Sequence, residues 1–280
     1  MTASGDDQPQ QFAKNDTAFA EGYFELQGSV VMVTGASSGL GRHFARVLAR
    51  AGCKVGLMAR REDRLQAVAS EMADDSLARH AGGCAIALPC DVTDVEAVQR
   101  AFDILAEKAG PVSVLVNNAG VGKPSNFISA SSEDTESVFD INQYAVWKVG
   151  QIAARQMIDA GIRGSIINIA SILGLRVMPG AASYAVSKAA VVQMTRVMAL
   201  ELARYNIRAN AIAPGYFATE MNSDFLDSEE GRKVLHRSPM RRAGRYEELD
   251  GLLLLLSSQR STFMTGAIIP VDGGHLNSSL

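Results

Sequence analysis

Raw material for disulfide or metal chemistry is scarce in this sequence. Its three cysteines, Cys53, Cys84 and Cys90, show no CxxC spacing, and its four histidines, His43, His80, His236 and His275, are scattered. A disulfide frame and a zinc site are therefore both disfavoured, and no metal is expected. The cysteines suit buried apolar positions in a reducing compartment. An excess of one charge is also missing. A formal net charge of −3 gives no global basic field for nucleic acid, so any anion site must be local. No apolar run reaches the ~18 residues of a membrane span. The opening MTASGDDQPQQ is polar and lacks the apolar core of a signal peptide, which makes cytoplasm the expected location.

What is there is a chain of 280 residues, 47% hydrophobic and 20% charged. That length and balance suit one large α/β domain. Residues 1–23 read as a partly flexible N-terminal extension, and residues 24–280 as a single domain. Strand signals cover Ser29–Val33, Lys54–Ala59, Cys84–Cys90, Pro111–Val116, Ser165–Ala170, Ile207–Ala213 and Thr265–Val271. Helical patterns lie between them, over about Asp63–Ser76, after Asp94, over Glu133–Arg155, Tyr184–Arg204 and Tyr246–Leu256. Six or seven βα units with near-continuous apolar strands predict a parallel sheet with helices on both faces. The stretch 74–83 reads as one more helical turn or a surface loop. Residues 216–240 are the natural place for a mobile lid. The run Leu252–Leu256 calls for cover on several sides, another subunit included.

Chemistry-bearing residues follow the strands. The first strand runs into Thr34-Gly35-Ala36-Ser37-Ser38-Gly39-Leu40-Gly41 and then a helix. Absent side chains there let backbone approach a pyrophosphate, and helix N–H groups point at it. The spacing is neither Gly-x-Gly-xx-Gly nor a Walker loop, and a tight packing joint is the plain alternative. The second strand ends in Ala59-Arg60-Arg61, where an acidic residue would grip the ribose of NAD. Two guanidinium groups suit a 2′-phosphate instead, so NADP(H) is preferred, with NAD(H) as the other option. Asp91 is placed to reach an adenine amino group or to serve as a turn carboxylate. Asn117-Asn118-Ala119-Gly120 ends the fourth strand, with small residues that admit a flat cofactor. Asn142 sits inside a helix, where propensity disfavours it, and is read as holding a water or a backbone carbonyl near Lys188. The stretch Ser183-Tyr184-Ala185-Val186-Ser187-Lys188 places a phenol and an ammonium four residues apart, hence on one helix face. A neighbouring ammonium favours the phenolate. Ser171, thirteen residues earlier at a strand end, is placed to bond the same substrate oxygen.

TGASSGLG at 34–41, NNAG at 117–120, Ser171, YAVSK at 184–188 and PG at 214–215 resemble, in order and spacing, the classical short-chain dehydrogenase/reductase family over about Phe24–Gly274. The 3-oxoacyl-[acyl-carrier-protein] reductases are the members taken as models. The resemblance implies an α/β fold: a doubly wound parallel seven-stranded sheet, Rossmann-like, in a three-layer αβα arrangement. It implies a homotetramer or homodimer, with no nucleic-acid or membrane partner. It implies that Tyr184 is the general acid–base group and that Lys188 lowers its pKa and binds the nicotinamide ribose. Ser171 would polarise the carbonyl, and Asn142 would hold a relay water. The cofactor-binding set would be Gly35, Ser37, Ser38, Gly39, Leu40, Gly41, Arg60, Arg61, Asp91, Val92, Asn118, Ala119, Gly120, Tyr184, Lys188, Pro214, Gly215, Phe217 and Thr219.

Ile172, Leu173, Val177, Met178, Tyr216, Phe217, Met221 and Phe225 are expected to line the substrate pocket. That apolar lining favours NADPH-linked reduction of an apolar ketone or 3-oxoacyl compound. The alternative is an NAD-linked catabolic dehydrogenase of a sugar-like or polyol alcohol. A nucleotide-sensing scaffold without turnover is a distant third. Arg176 either faces solvent or greets an acidic substrate group.

Overall fold

Apolar and β-branched residues run almost unbroken through seven short stretches, and each becomes a strand. In the computed structural model, which describes residues 23–220 and 222–278, these are β1 Val30–Thr34, β2 Lys54–Ala59, β3 Cys84–Pro89, β4 Val114–Asn117, β5 Gly164–Ile169, β6 Ile207–Pro214 and β7 Ile268–Val271. Expectations for residues 1–22 and for Met221 lie outside the described residues. All strands pair in parallel, in the order β3-β2-β1-β4-β5-β6-β7. Every residue of β1, β4, β5 and β6 is buried, and the polar members of β6, Arg208 and Asn210, spend their hydrogen bonds on backbone carbonyls inside the fold. Strand order reverses between β1 and β4, and that reversal opens a crevice at their C-terminal ends.

Helices cover both faces. On one, α1 (Gly39–Arg50) turns Phe44 and Leu48 onto Val31, Val33 and Leu57. On the other, α4 (Val95–Ala109) and α6 (Ala145–Asp159) place Phe102, Leu105, Val149 and Met157 over Met32, Leu115 and Ile166. Burial of each such side chain contributes ~1.5–3 kcal/mol. The product is the three-layer αβα fold. No helix among the described residues is long and apolar enough to cross a membrane.

Several elements differ from the sequence expectation for identifiable reasons. The helix of the second crossover stops early, as α2 (Glu62–Asp74), because Asp75 turns extended. The Asp75 carboxylate then accepts from the N–H groups of Leu77 and Ala78 and starts a separate helix, α3 (Ser76–Ala81). Gly82, at φ 78°, ends it. The helix expected over Glu133–Arg155 is broken. It consists of α5 (Ser132–Phe139), one π turn at Asp140–Tyr144, and then α6. Tyr184 lies in α7 (Ala182–Leu202), which begins two residues earlier than the pattern predicts. Within the leucine run, Leu253, Leu254 and Leu256 of α10 (Asp250–Ser257) are buried in the same cluster as α1. Much of that cover therefore comes from the chain itself. Cys53 and Cys90 are buried as expected, but Cys84 is exposed, because β3 is an edge strand.

A chain of buried amides crosses the sheet towards α7. The Asn117 Nδ2 group donates to Asn168 Oδ1 at 3.0 Å, and Asn168 Nδ2 donates to Thr195 Oγ1 at 2.9 Å. Removing the central member takes one hydrogen bond from each neighbour, leaving Asn117 Nδ2 only a 3.5 Å contact to the Val146 carbonyl and Thr195 Oγ1 only its bond to the Val191 carbonyl, at ~1–3 kcal/mol for each weakened site. Asn168→Ala should therefore lower the urea midpoint by the equivalent of about 2–5 kcal/mol at unchanged m-value.

Candidate active site

The crevice is built first from hydrogen bonds. Thr34, the last residue of β1, accepts at Oγ1 from the backbone N–H groups of Asn118 and Ala119, both at 2.9 Å. Asn118 Nδ2 donates back to the Thr34 carbonyl at 2.9 Å. The ends of β1 and β4 are thus locked where strand order reverses. The glycine turn packs onto this lock. A Cβ on Gly35, at φ 67°, would lie 2.9 Å from the Ala119 Cα. On Gly41 it would lie 2.3 Å from the Gly35 carbonyl oxygen. Only glycine fits either place.

A cavity of about 430 Å³ lies over the turn. Every cofactor-binding candidate except Gly41 lines it, because Gly41 supports the turn from beneath. The residues fit a dinucleotide: a side-chain-free cradle faces the N-terminus of α1, and cations stand at the end of β2. Arg60 is an exposed part of the lining, whereas Arg61 is fixed. Its Nη2 donates to Ser37 Oγ and Ser38 Oγ, each at 3.1 Å. Asp91 takes its turn role, with Oδ1 accepting from the N–H and hydroxyl of Thr93. Thr219 is held by Asn222, whose Oδ1 accepts from its N–H and its hydroxyl. Phe217 borders the cavity but belongs to the core, its ring against Gly244. Asn222 and Glu220 also line the cavity and went unread in the sequence, since no motif marks them. Ile169 and Ala170 line it too, and there a signal existed, for they end the strand that presents Ser171.

Ser171, Tyr184 and Lys188 meet in this cavity. Helical spacing puts Lys188 Nζ 5.7 Å from the centre of the Tyr184 ring. Lys188 is 4% exposed and donates to the Ile169 carbonyl at 2.7 Å. Burial pushes its pKa down to about 8. Burial likewise raises the Tyr184 pKa above the usual phenol value, a hydrogen bond from Ser171 opposes that, and Tyr216 adds to it. Desolvation is the largest of these influences on the Tyr184 hydroxyl, and it favours the protonated phenol. Asn142 does not line the cavity but stands behind it in the π turn. Its amide pairs with the N–H and carbonyl of Val121, both at 2.8 Å, and donates to Ser187 Oγ at 3.1 Å. The carbonyl it was expected to hold is thus Val121's.

A second cavity, of about 610 Å³, is lined by Ile172 and Tyr216, the residues that follow Ser171 and Gly215 of the first cavity in the chain. Leu173, Val177 and Met178 line it as expected. Phe225 does not, although it packs on the Tyr216 ring at 6.4 Å. The expectation of an apolar pocket is overturned at the far end. Arg176, His236, Arg237 and His275 line it there. They arrive from three segments far apart in sequence: the loop after β5, the end of α9 (Glu229–Arg237) and the turn after β7.

A doubly wound sheet with a glycine turn at its reversal defines the class, a dinucleotide-binding α/β protein. A family model described as enoyl-(acyl carrier protein) reductase matches residues 35–275. Gluconate 5-dehydrogenase of Gluconobacter oxydans is 38% identical over 252 residues, covering 90% of this chain and 96% of that protein. The 3-oxoacyl-[acyl-carrier-protein] reductase of Thermotoga maritima is 34% identical over 259 residues, covering 89% and 98%. The crystal structure of a gluconate 5-dehydrogenase from Burkholderia cenocepacia, in complex with NADP and tartrate, superposes with a TM-score of 0.86 at 34% identity, covering 93% of this chain and all of that one (100%). Among the similar curated proteins, enzymes of gluconate-type sugar acids outnumber 3-oxoacyl reductases. The chain belongs to the short-chain dehydrogenase/reductase family, and it is an NAD(P)-dependent oxidoreductase acting on a carbonyl or alcohol.

The buried ammonium has a consequence for stability. Its folded pKa of about 8 lies below the usual 10.5, so between those pH values the unfolded chain binds more protons. Stability should rise with pH across that window, and below pH 8 the charge costs about 3 kcal/mol at ~1.36 kcal/mol per pKa unit. Lys188→Met should therefore unfold at higher urea than wild type at pH 7, by about 2 kcal/mol once the bond to Ile169 is discounted. The gap should close as pH rises from 8 to 10.5. A gap independent of pH would contradict the assignment.

Proposed function

We propose that this protein interconverts a ketone and a secondary alcohol on a polyhydroxylated sugar acid, with NADP(H) as preferred coenzyme. The observation that carries the reading is the cationic lining of the second cavity, whose wall includes Ile172, next to Ser171 in the chain, and Tyr216, which acts on Tyr184. An anionic, hydroxylated substrate matches that lining better than an acyl chain does. The nature of the similar proteins supports the same choice. Reduction of a 3-oxoacyl compound is the second reading, favoured by the apolar near wall of Ile172, Leu173 and Met178 and by the Thermotoga relative.

The nicotinamide, when bound, supplies or accepts the hydride. Gly35, Ser37, Ser38 and the N-terminus of α1 hold the phosphates, and Arg60 and Arg61 hold the 2′-phosphate. Asn118, Ala119 and Gly120 line the path between, with Asp91 and Val92 on the adenine side. Pro214, Gly215, Phe217 and Thr219 border the nicotinamide end. In reduction the Tyr184 hydroxyl donates its proton to the forming alkoxide, and the Ser171 hydroxyl donates a hydrogen bond to the same oxygen. In oxidation the proton returns to Tyr184. The raised Tyr184 pKa keeps the acid loaded at neutral pH, and Lys188 stabilises the phenolate left behind. Asn142 is a positioning residue that fixes Val121, and through Ser187 it braces the first turn of α7.

Steady-state turnover with NADPH and NADH, against keto-sugar acids, neutral ketoses and 3-oxoacyl thioesters, tests the reading. NADPH-linked turnover of a keto-sugar acid is expected to exceed the rest. Preference for thioesters would instead install the second reading. Tyr184→Phe should lower kcat by ~10²–10⁴ while the NADPH dissociation constant stays nearly constant. Arg61→Ala should weaken NADPH about 10–100-fold and leave NADH unaffected, a charged hydrogen bond being worth ~1.5–3 kcal/mol.

A further inference from the structure

The second cavity holds positive charge that has no ion-pair partner among the described residues. Arg176 is half-buried there and Arg237 is exposed at the end of α9. Neither forms an ion pair among the described residues, although eleven such pairs occur elsewhere. The polar contacts of Arg176 are two long ones from Nη1, to the His275 carbonyl and to Ser278 Oγ, both at 3.5 Å. Among the described residues, no Asp or Glu lines this cavity. The carboxylate that acts on His275, that of Asp272, is already engaged by the backbone N–H groups of Gly274 at 2.9 Å and Leu276 at 2.8 Å. His275 Nδ1 is buried without a hydrogen-bond partner. The His275 ring meets Tyr216 edge-on at 5.5 Å, and Tyr216 in turn acts on Tyr184.

A cation at a helix C-terminus is ordinary, since it complements the dipole, and that accounts for Arg237 at the end of α9. It does not account for Arg176, which no helix end requires, nor for the convergence of both with His275. Two guanidinium groups at one cavity end repel each other unless an anion joins them.

We propose that Arg176 and Arg237, with His275 Nδ1 beside them, clamp the carboxylate of the substrate at the far end of this cavity. The clamp rests on the sugar-acid reading above and deepens it. A guanidinium fork suits a planar carboxylate, and anchoring one end of a flexible polyol selects which carbon reaches Ser171 and Tyr184. The clamp makes the enzyme selective for acids over neutral polyols of equal length, because a neutral end group leaves both cations unpaired.

The test is calorimetric titration of the full chain saturated with NADPH, a state in which an alcohol cannot turn over. The probes are gluconate, the neutral glucitol, and glucitol 6-phosphate. Wild type should bind gluconate at least about tenfold tighter than glucitol. Arg176→Met and Arg237→Met should each erase most of that margin, and the Lys variants should restore part of it. NADPH and glucitol affinities should not change, which also reports that the variants fold; Arg237 is exposed, so its replacement does not disturb the core. Gluconate bound equally by wild type and both Met variants would overturn the clamp and leave the sugar-acid reading standing. Tighter binding of the phosphate ester would overturn the carboxylate assignment. Absence of gluconate binding, with turnover confined to thioesters, would overturn the reading and the clamp together.

Discussion

The hydroxyl of Thr34 is the point on which the site depends. One oxygen accepts two backbone N–H groups from the end of β4, and the Asn118 amide answers by donating to the Thr34 carbonyl. Those bonds fix the spacing of two strands that would otherwise splay where the sheet reverses direction. The glycine turn can then sit directly on Asn118 and Ala119, with no room for a single extra carbon at Gly35 or Gly41. The cavity over the turn, the start of α1 and the placement of Arg61 against Ser37 and Ser38 all follow from that contact. Rigidity here comes from satisfied buried polar groups rather than from apolar packing, and such networks specify one geometry.

The reactive cluster obeys the opposite economy. Lys188 is an ammonium with one carbonyl partner in an almost closed environment, and Tyr184 is a phenol in the same environment. Desolvation disfavours both charged forms, so it lowers one pKa and raises the other. The two values, close together in water, therefore move apart, so the phenol holds its proton more firmly and the ammonium less firmly than in water. The fold sustains the resulting instability because α7 is buried along much of its length and because Asn168 and Thr195 tie it to the sheet. Asn142 does similar work from the other side. The π turn lets its amide reach Val121 and Ser187, which an uninterrupted helix would carry past.

Much of this was legible in the sequence, for local reasons. Glycine spacing, unbroken apolar strands and Tyr–Lys at helical distance are short-range signals, and the strands and the meeting of Ser171, Tyr184 and Lys188 followed them. The illegible parts are of two kinds. Some turn on one side chain's competition with the backbone: Asp75 splits a helix by capping another, and Asn142 sits in a π turn that no propensity encodes. Others turn on long-range convergence. Nothing in Arg176, Arg237 or His275 announces that the three share a cavity, since each lies in its own loop or helix end. The same holds for Asn222 behind Thr219 and for Glu220 facing Arg64 at 3.0 Å. The choice between Arg60 and Arg61 was likewise beyond the pattern, because only the placement of Ser37 and Ser38 decides which guanidinium is anchored.

That division has a functional counterpart. The parts readable from short motifs are those that hold a coenzyme and move a proton, tasks whose geometry is the same whatever the substrate. The parts that needed the structure are those to which the proposed reading assigns the choice between one carbonyl compound and another. They sit on the loop after β5, on α9 and on the turn after β7, segments the sheet positions but does not dictate. An apolar reading held for Ile172, Leu173, Val177, Met178 and Tyr216 and misled for the whole, because Arg176 within that run is joined by charge from Arg237 and His275, dozens of positions away. On the proposed reading, substrate class is a property of which loops meet, and a single half-buried guanidinium without a carboxylate partner among the described residues says more about it than the run of apolar residues beside it.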